Sequence, residues 1–243
     1  MKMLPFAKRC AKEIVRDPLN LCFGLGFPIV LLLLLSTMQA NIPVSLFEIR
    51  HLAPGISVFG LSFLTLFSAS LISRDRENAF LQRLYTTPMG ASDFILGYML
   101  PIVPIALVQG AVCYLIAVFL GLPMGVNVLY GALMLLPISV FYVSLGLLFG
   151  SILNVKQVGG ICGALLTNLS AWLSGVWFDL TLLGKPLETF ARFLPFVHAV
   201  ELERAVIRGD HVQALSHLCP VLLYAMLTTT IAILLFLRQM KKQ

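Results

Sequence analysis

Charged residues are confined to a few short stretches of this chain, and the runs 18–47, 51–73, 94–155, 157–178 and 211–237 contain none. Each run supplies one or two segments of about 20 apolar residues, the length an α-helix needs to cross roughly 30 Å of hydrocarbon. The alternating pattern of a transmembrane barrel is absent, so backbone groups in lipid must be paired within helices. The pattern predicts an all-α polytopic membrane protein with about six spans, at 19–38, 52–72, 94–119, 126–150, 158–178 and 217–237. The longest uncharged run has to be two helices, and Gly121, Leu122, Pro123 and Gly125 supply the break. Pro28, Pro101, Pro104 and Pro137 fall inside spans, where neighbouring helices can satisfy the carbonyls they free.

The segments between the spans carry their own periodicities within what reads as a single transmembrane domain over 1–243. Within 1–18, Met3, Phe6, Ala7, Cys10, Ile14 and Val15 alternate with Lys8, Arg9, Lys12 and Arg16 at helical spacing. This predicts an amphipathic helix lying on the cytoplasmic leaflet, its basic face toward anionic lipid, with a disordered basic tail as the alternative. The loop 73–93 is the richest in charge. Good helix formers from Asp75 to Leu84, with Phe80, Leu81 and Leu84 as an apolar stripe and Pro88 as a stop, predict a short helix there, or else a solvated connector. Segment 179–216 is too polar to span and too long for a turn. Its mixed apolar and charged residues predict short helices dipping into the outer leaflet, one of them 198–208, ended by Gly209.

Two stripes inside spans stand out. Small residues recur every fourth position on the fifth span, at Gly159, Gly163, Thr167, Ala171 and Gly175, and such a ladder lets a partner helix approach closely. Phe59, Phe63 and Phe67 form an aromatic stripe on the second span, which either packs against other helices and lipid or forms a cavity wall.

Composition agrees with the pattern: 59% hydrophobic, 12% charged, mean hydropathy +0.94. Charge then sets the orientation. With an even number of spans, one side holds Lys2, Lys8, Arg9, Lys12, Arg16, Arg74, Arg76, Arg83, Lys156, Arg238, Lys241 and Lys242, twelve of the 17 basic residues. The other side has Arg50, Lys185, Arg192, Arg204 and Arg208 among a similar number of acids. The positive-inside rule puts both termini in the cytoplasm of a bacterial inner membrane. The pI near 9.2 reflects that topology and not nucleic-acid binding. The first span is too long for a signal peptide, and the five cysteines have no metal-ligand spacing and read as packing residues.

The chemistry that is missing narrows the function. No Gly-x-x-x-x-Gly-Lys-[Ser/Thr] phosphate loop, no His-Glu-x-x-His and no Gly-x-Ser-x-Gly occurs, so neither a metal nor a catalytic centre is predicted. No ionisable residue falls in the middle of a predicted span, whereas ion-coupled carriers place such groups there. An ion-coupled secondary transporter or channel and a membrane-embedded enzyme or assembly factor stay as the alternatives. Energy delivered from outside the membrane suits the sequence better.

The segment Arg74-Asp-Arg-Glu-Asn-Ala-Phe-Leu-Gln-Arg-Leu-Tyr-Thr-Thr-Pro88-Met resembles the first cytoplasmic loop of type-2 ATP-binding-cassette (ABC) exporter permeases of the drug and antibiotic kind. Leu-Ala-Pro-Gly at 52–55, Ser-Gly-Val-Trp-Phe at 174–178 and Leu-Pro-Phe-Val-His at 194–198 fall in the expected places. Ala79 and Gln82 stand where members commonly have Gly and Glu. The resemblance implies a homodimer or heterodimer of permeases in the bilayer over two ABC ATPase subunits, which carry the ATP and Mg, and no cofactor in this chain. It implies a coupling surface made of Arg74, Arg76, Glu77, Phe80, Leu81, Arg83, Leu84 and Thr87, with Asn154 and Lys156 from the loop 151–157. It further implies a central pathway lined by Phe59, Phe63, Phe67, Thr167, Asn168 and Trp172, an outer re-entrant closure at 179–210, and export of an amphipathic or hydrophobic substrate such as a drug, lipid or peptide.

Overall fold

The computed structural model describes residues 3–41, 47–78, 80–85 and 89–240, and among them there are helices and turns but no strand. Helix α1 (Met3–Val15) leads into a first membrane-length segment made of α2 (Pro18–Leu21), a π-helical stretch (Cys22–Gly26) and α3 (Phe27–Asn41). The next two long helices are α4 (Ile49–Glu77) and, after the six-residue α5 (Phe80–Tyr85), α6 (Ala91–Phe119). A turn through Gly121, at φ +105°, reverses the chain into α7 (Val126–Ile152), as the Gly and Pro cluster predicts.

Among the described residues, five helical segments are long and apolar enough to cross a membrane: Cys22–Asn41, α4, α6, α7 and α12 (His211–Met240). α4 is the axle of the bundle. The most apolar window of α4 is 83% buried, against 22–50% for the other four, because α3, α6, α7, the stretch 155–173 and the helix at 195–208 all pack on α4. The other helices leave leucine-rich faces outward, the arrangement expected where lipid is the solvent.

The predicted fifth span differs in an instructive way. α8 (Val155–Val158), a π-helical stretch (Gly159–Leu166) and α9 (Thr167–Leu173) run on continuously, but the helix stops at Leu173 and Gly175, at φ +75°, turns the chain. The residues of 155–173 buried in the bundle are Val158, Cys162, Thr167, Ser170 and Ala171, so the buried face steps by four, then five, then three and four. The wider π turn holds one extra residue, so the small-residue ladder read at a constant spacing of four does not stay on one face. Gly159 is exposed with open space beside it, Gly163 meets Leu66, Ala171 is buried and Gly175 is a turn residue. The Thr167 hydroxyl donates to the Cys162 carbonyl at 3.1 Å, pairing a group within the π region.

Beyond Gly175, a short 3₁₀ turn (Leu180–Leu183), α10 (Lys185–Phe193) and α11 (Pro195–Arg208) precede α12. Pro195 starts α11 and Gly209, in the left-handed conformation, ends it. α11 is an inside helix: ten of its 14 residues are buried against α4, α7 and α12.

Three wholly buried tyrosines cross-link the bundle through their hydroxyls. Tyr98 of α6 bonds to Asp75 of α4, Tyr114 of α6 to Glu203 of α11, and Tyr142 of α7 to Ser170 of α9. Each fills core volume with its ring and satisfies its one polar atom across a helix interface.

Candidate functional site at the base of the central helix

The last turn of α4 carries Asp75, Arg76 and Glu77, and successive residues on a helix point about 100° apart. Three neighbours in sequence therefore reach three different directions. Asp75 points back into the bundle, Arg76 toward the end of α7 and Glu77 toward the start of α8.

Asp75 is 2% exposed and fully engaged. Arg9 of α1 donates two parallel hydrogen bonds to its two oxygens, both 2.6 Å, and the Tyr98 hydroxyl adds a third at 2.7 Å. This bidentate geometry is the strong form of a carboxylate–guanidinium pair. Arg9 also meets Glu13 at 2.9 Å and lies 3.9 Å from the centre of the Phe80 ring, so α5 is held to the same cation. α1 is seated by its apolar stripe: Phe6 packs edge-on against Phe94 and Tyr98, and Cys10 is fully buried, its thiol pushed up to about 12 by burial. The apolar face of α1 is thus spent on protein and not on lipid.

Arg76 donates to the carbonyls of Ser151 and Leu153, the last acceptors of α7. Gln239, near the end of α12, donates to the Ser151 carbonyl as well. Helix ends leave such carbonyls without intrahelical partners, and a guanidinium there also meets the negative end of the helix dipole. Glu77 accepts the Val155 N–H at 2.9 Å, at the first turn of α8, where an anion is favoured. Asn154 caps that turn: its side chain accepts from Gln157 N at 2.8 Å, and the Gln157 side-chain oxygen accepts from Asn154 N at 3.1 Å.

Of the predicted coupling residues, Arg76, Glu77 and Asn154 are therefore bonded within the chain, and Leu81 is buried. Arg74 is exposed and pairs with Asp17 at 3.3 Å; Lys156 is exposed and Phe80 half-buried under Arg9. Thr87 lies outside the described residues, as do the side chains of Arg83 and Leu84. Arg9, Asp75, Tyr98 and Ser151 were not singled out from the sequence. A signal for Asp75 existed: Leu61, Leu64, Ser68, Ile72 and Asp75 follow one helical stripe, and the first four are all buried.

The predicted pathway residues divide. Phe59 packs against Phe63 at 5.6 Å, Trp177 at 5.7 Å and Phe27 at 6.4 Å, and Phe67 covers Gly24 of the first segment. Thr167 is buried. Asn168 and Trp172 are exposed, as are Gly160, Ala164 and Leu165 on the open side of 155–173.

Comparison with protein families decides what this arrangement belongs to: residues 5–207 match the model of the ABC-2 type transporter. The chain is an ABC-2 type transporter membrane protein. The match spans α1 through nearly all of α11, so the junction at the base of α4 lies wholly within the family domain except for Gln239. This permease is the transport component of its class and not itself the catalytic one, and membrane domains of the family generally work as dimers with an ABC ATPase. Comparison of the permease with curated proteins finds no match.

Proposed function

We propose that this permease is the membrane half of an ATP-driven exporter of amphipathic or hydrophobic substrates, dimeric in the bilayer and driven by separate ATPase subunits that bind the ATP and Mg. The observation that carries the reading is the junction at Asp75, Arg76 and Glu77. The loop that follows α4 is attached to the most deeply buried helix of the bundle, and the three residues just before it are fastened to α1 and α6, to α7, and to α8 in turn. A force applied to residues 78–90 reaches four elements at once.

In this reading the basic end of the bundle faces the cytoplasm. The ATPase docks on 78–90 together with exposed Arg74 and Lys156, whereas Arg76, Glu77 and Asn154 pass the motion on. The open face of 155–173, with Gly160, Ala164, Asn168 and Trp172, lines the pathway between two permeases, and its apolar and aromatic character suits hydrophobic cargo. Binding of cargo must differ between the inward and outward states for the cycle to do work.

The test is co-expression with candidate ABC ATPases from the same genome, followed by co-purification and assay of export from intact cells. Wild type is expected to hold the ATPase and export; Arg76→Ala with Glu77→Ala is expected to hold it and export poorly. A permease that exports without any ATPase, or a double variant that exports like wild type, overturns the assignment.

A further inference from the structure

Glu203 sits in a place where a carboxylate has no counter-charge. It is fully buried on α11, and one oxygen, Oε2, accepts the hydroxyl of Tyr114 from α6. The other, Oε1, is buried without any hydrogen-bond partner. Across the contact, Gly131 of α7 leaves room: a Cβ there would stand 3.2 Å from Oε2 and 3.0 Å from the Tyr114 hydroxyl. Helical spacing separates this face of α11 from its charged one, where Glu201, Arg204 and Arg208 lie together. Arg204 bonds Glu201 at 3.0 Å and the Gly175 carbonyl at 2.9 Å, and Arg208 lies 3.8 Å from Glu201. Of the other charged or titratable groups around α11, His51 of α4, Asp179, Arg192 of α10, His198 of α11 and His217 of α12 sit about that polar side, Arg50 lies by Ile207 and Arg208, Asp210 follows the helix end, and Tyr130 of α7 and His211 of α12 lie by Leu202 and Val206. Among the described residues no cation pairs with Glu203.

An ionised carboxyl buried with a single neutral donor costs far more than a neutral acid in the same place, so the group holds a proton instead. Burial raises its affinity for that proton well above the ordinary carboxyl value, with the Tyr114 hydrogen bond opposing. Exposed to water, the same carboxyl would ionise near the ordinary glutamate value of about 4.3.

We propose that Glu203 is a proton-binding site on α11: docked in the bundle it is the neutral acid, and when α11 lifts away from α6 and α7 the O–H bond breaks, the proton passing to water and the carboxylate remaining. Opening at this end of the permease is thereby linked to release of one proton. The docked state binds the extra proton, so docking weakens as pH rises between the exposed and the docked pKa, by up to tenfold in the open-to-docked ratio per pH unit. The site is independent of what the permease carries and of what drives it.

Two measurements on the full chain in lipid nanodiscs test this. Infrared spectra at neutral pH are expected to show a protonated-carboxyl C=O band that is lost in Glu203→Gln and moves to higher frequency in Tyr114→Phe, which loses the hydrogen bond. Hydrogen exchange of the amides of 199–207, corrected for the intrinsic pH dependence, is expected to rise on the alkaline side in wild type and to stay flat in Glu203→Gln. Wild-type and Glu203→Gln spectra that coincide in the carboxylic-acid region, or equal alkaline slopes, overturn the proposal. If Glu203→Gln does not fold, Tyr114→Phe decides alone: an unmoved band overturns it.

Discussion

Gly146 of α7 lies against the backbone of Thr65 in α4, so close that a Cβ at Gly146 would stand 2.9 Å from Thr65 Cα. One turn on, a Cβ at Gly150 would stand 2.7 Å from Ala69 Cα. The two glycines, four apart on one face, let the two most intimately packed helices touch backbone to backbone, and the Thr65 hydroxyl donates to the Tyr142 carbonyl at 3.0 Å in the same seam. Because the obstruction is main chain, it cannot rotate aside. Gly146→Ala and Gly150→Ala are each expected to cost about 3 kcal/mol, the upper part of the overpacking range, whereas Gly159→Ala, with open space around it, is expected to leave thermal stability in nanodiscs unchanged.

Asp75→Asn should separate charge from shape. It keeps the volume and removes the charge that Arg9 and Tyr98 address. Breaking a fully buried pair costs roughly 3–5 kcal/mol, and since the Arg9 side chain is 35% exposed the expected loss is about 2 kcal/mol. A double-mutant cycle with Arg9→Met, read by thermal unfolding, is expected to give a coupling energy of about 1–2 kcal/mol, and additive losses would show that the pair does not hold α1 in place.

The Cys10 thiol reports on the same junction. Burial holds its pKa up to about 12 while Arg9 works the other way, so thiolate is scarce at neutral pH. With the other four cysteines replaced, maleimide labelling of Cys10 is expected to be slow in the folded protein and at least tenfold faster in Asp75→Ala, where α1 can lift. Equal rates would mean that α1 is not seated by Asp75.

At the other end His198 and His217 approach with their Nδ1 atoms 3.0 Å apart, one donating and one accepting. Burial first, then the neighbouring His217, holds the His198 pKa below its ordinary value. The docked form therefore binds fewer protons than the open one. The contact is at full strength above about pH 6.5 and weakens as pH falls below it. Exchange of the α11 amides is expected to rise in acid in wild type and to lose that acid rise in His198→Phe. The sign is opposite to the one expected of Glu203, whose window opens already in acid, so the two groups are told apart by comparing His198→Phe with Glu203→Gln.

Hydrophobic runs were enough to place the long helices, the break at 121–125 and the stop at Gly209, because each depends on local composition or on a backbone angle that few residues adopt. The seam between α4 and α7 is also written in the sequence, as Gly-x-x-x-Gly at 146–150, a shorter ladder than the one at 159–175. What could not be read there is the π-helical stretch, since a turn with an extra residue leaves no mark on composition. Charge misled in a different way. Asp75, Arg76 and Glu77 look like solvent-facing loop residues, but α4 continues through them, and each is satisfied by a partner far away in sequence. Glu203 escaped for the same reason: in sequence it stands in a charged run with Glu201 and Arg204, and only along the helix face are its neighbours, Ala199, Val200, Val206 and Ile207, apolar.

The extra residue within 159–166 makes this part of the chain sensitive to length more than to identity. Removing any one residue there would restore a regular helix and rotate everything beyond it by about a quarter turn, carrying Asn168 and Trp172 off the open face and Gly175 out of reach of Arg204. Substitutions that keep the count should be tolerated along the outer side of this stretch, while a single-codon deletion should break the register between the loop at 151–157 and the Gly175 contact with α11.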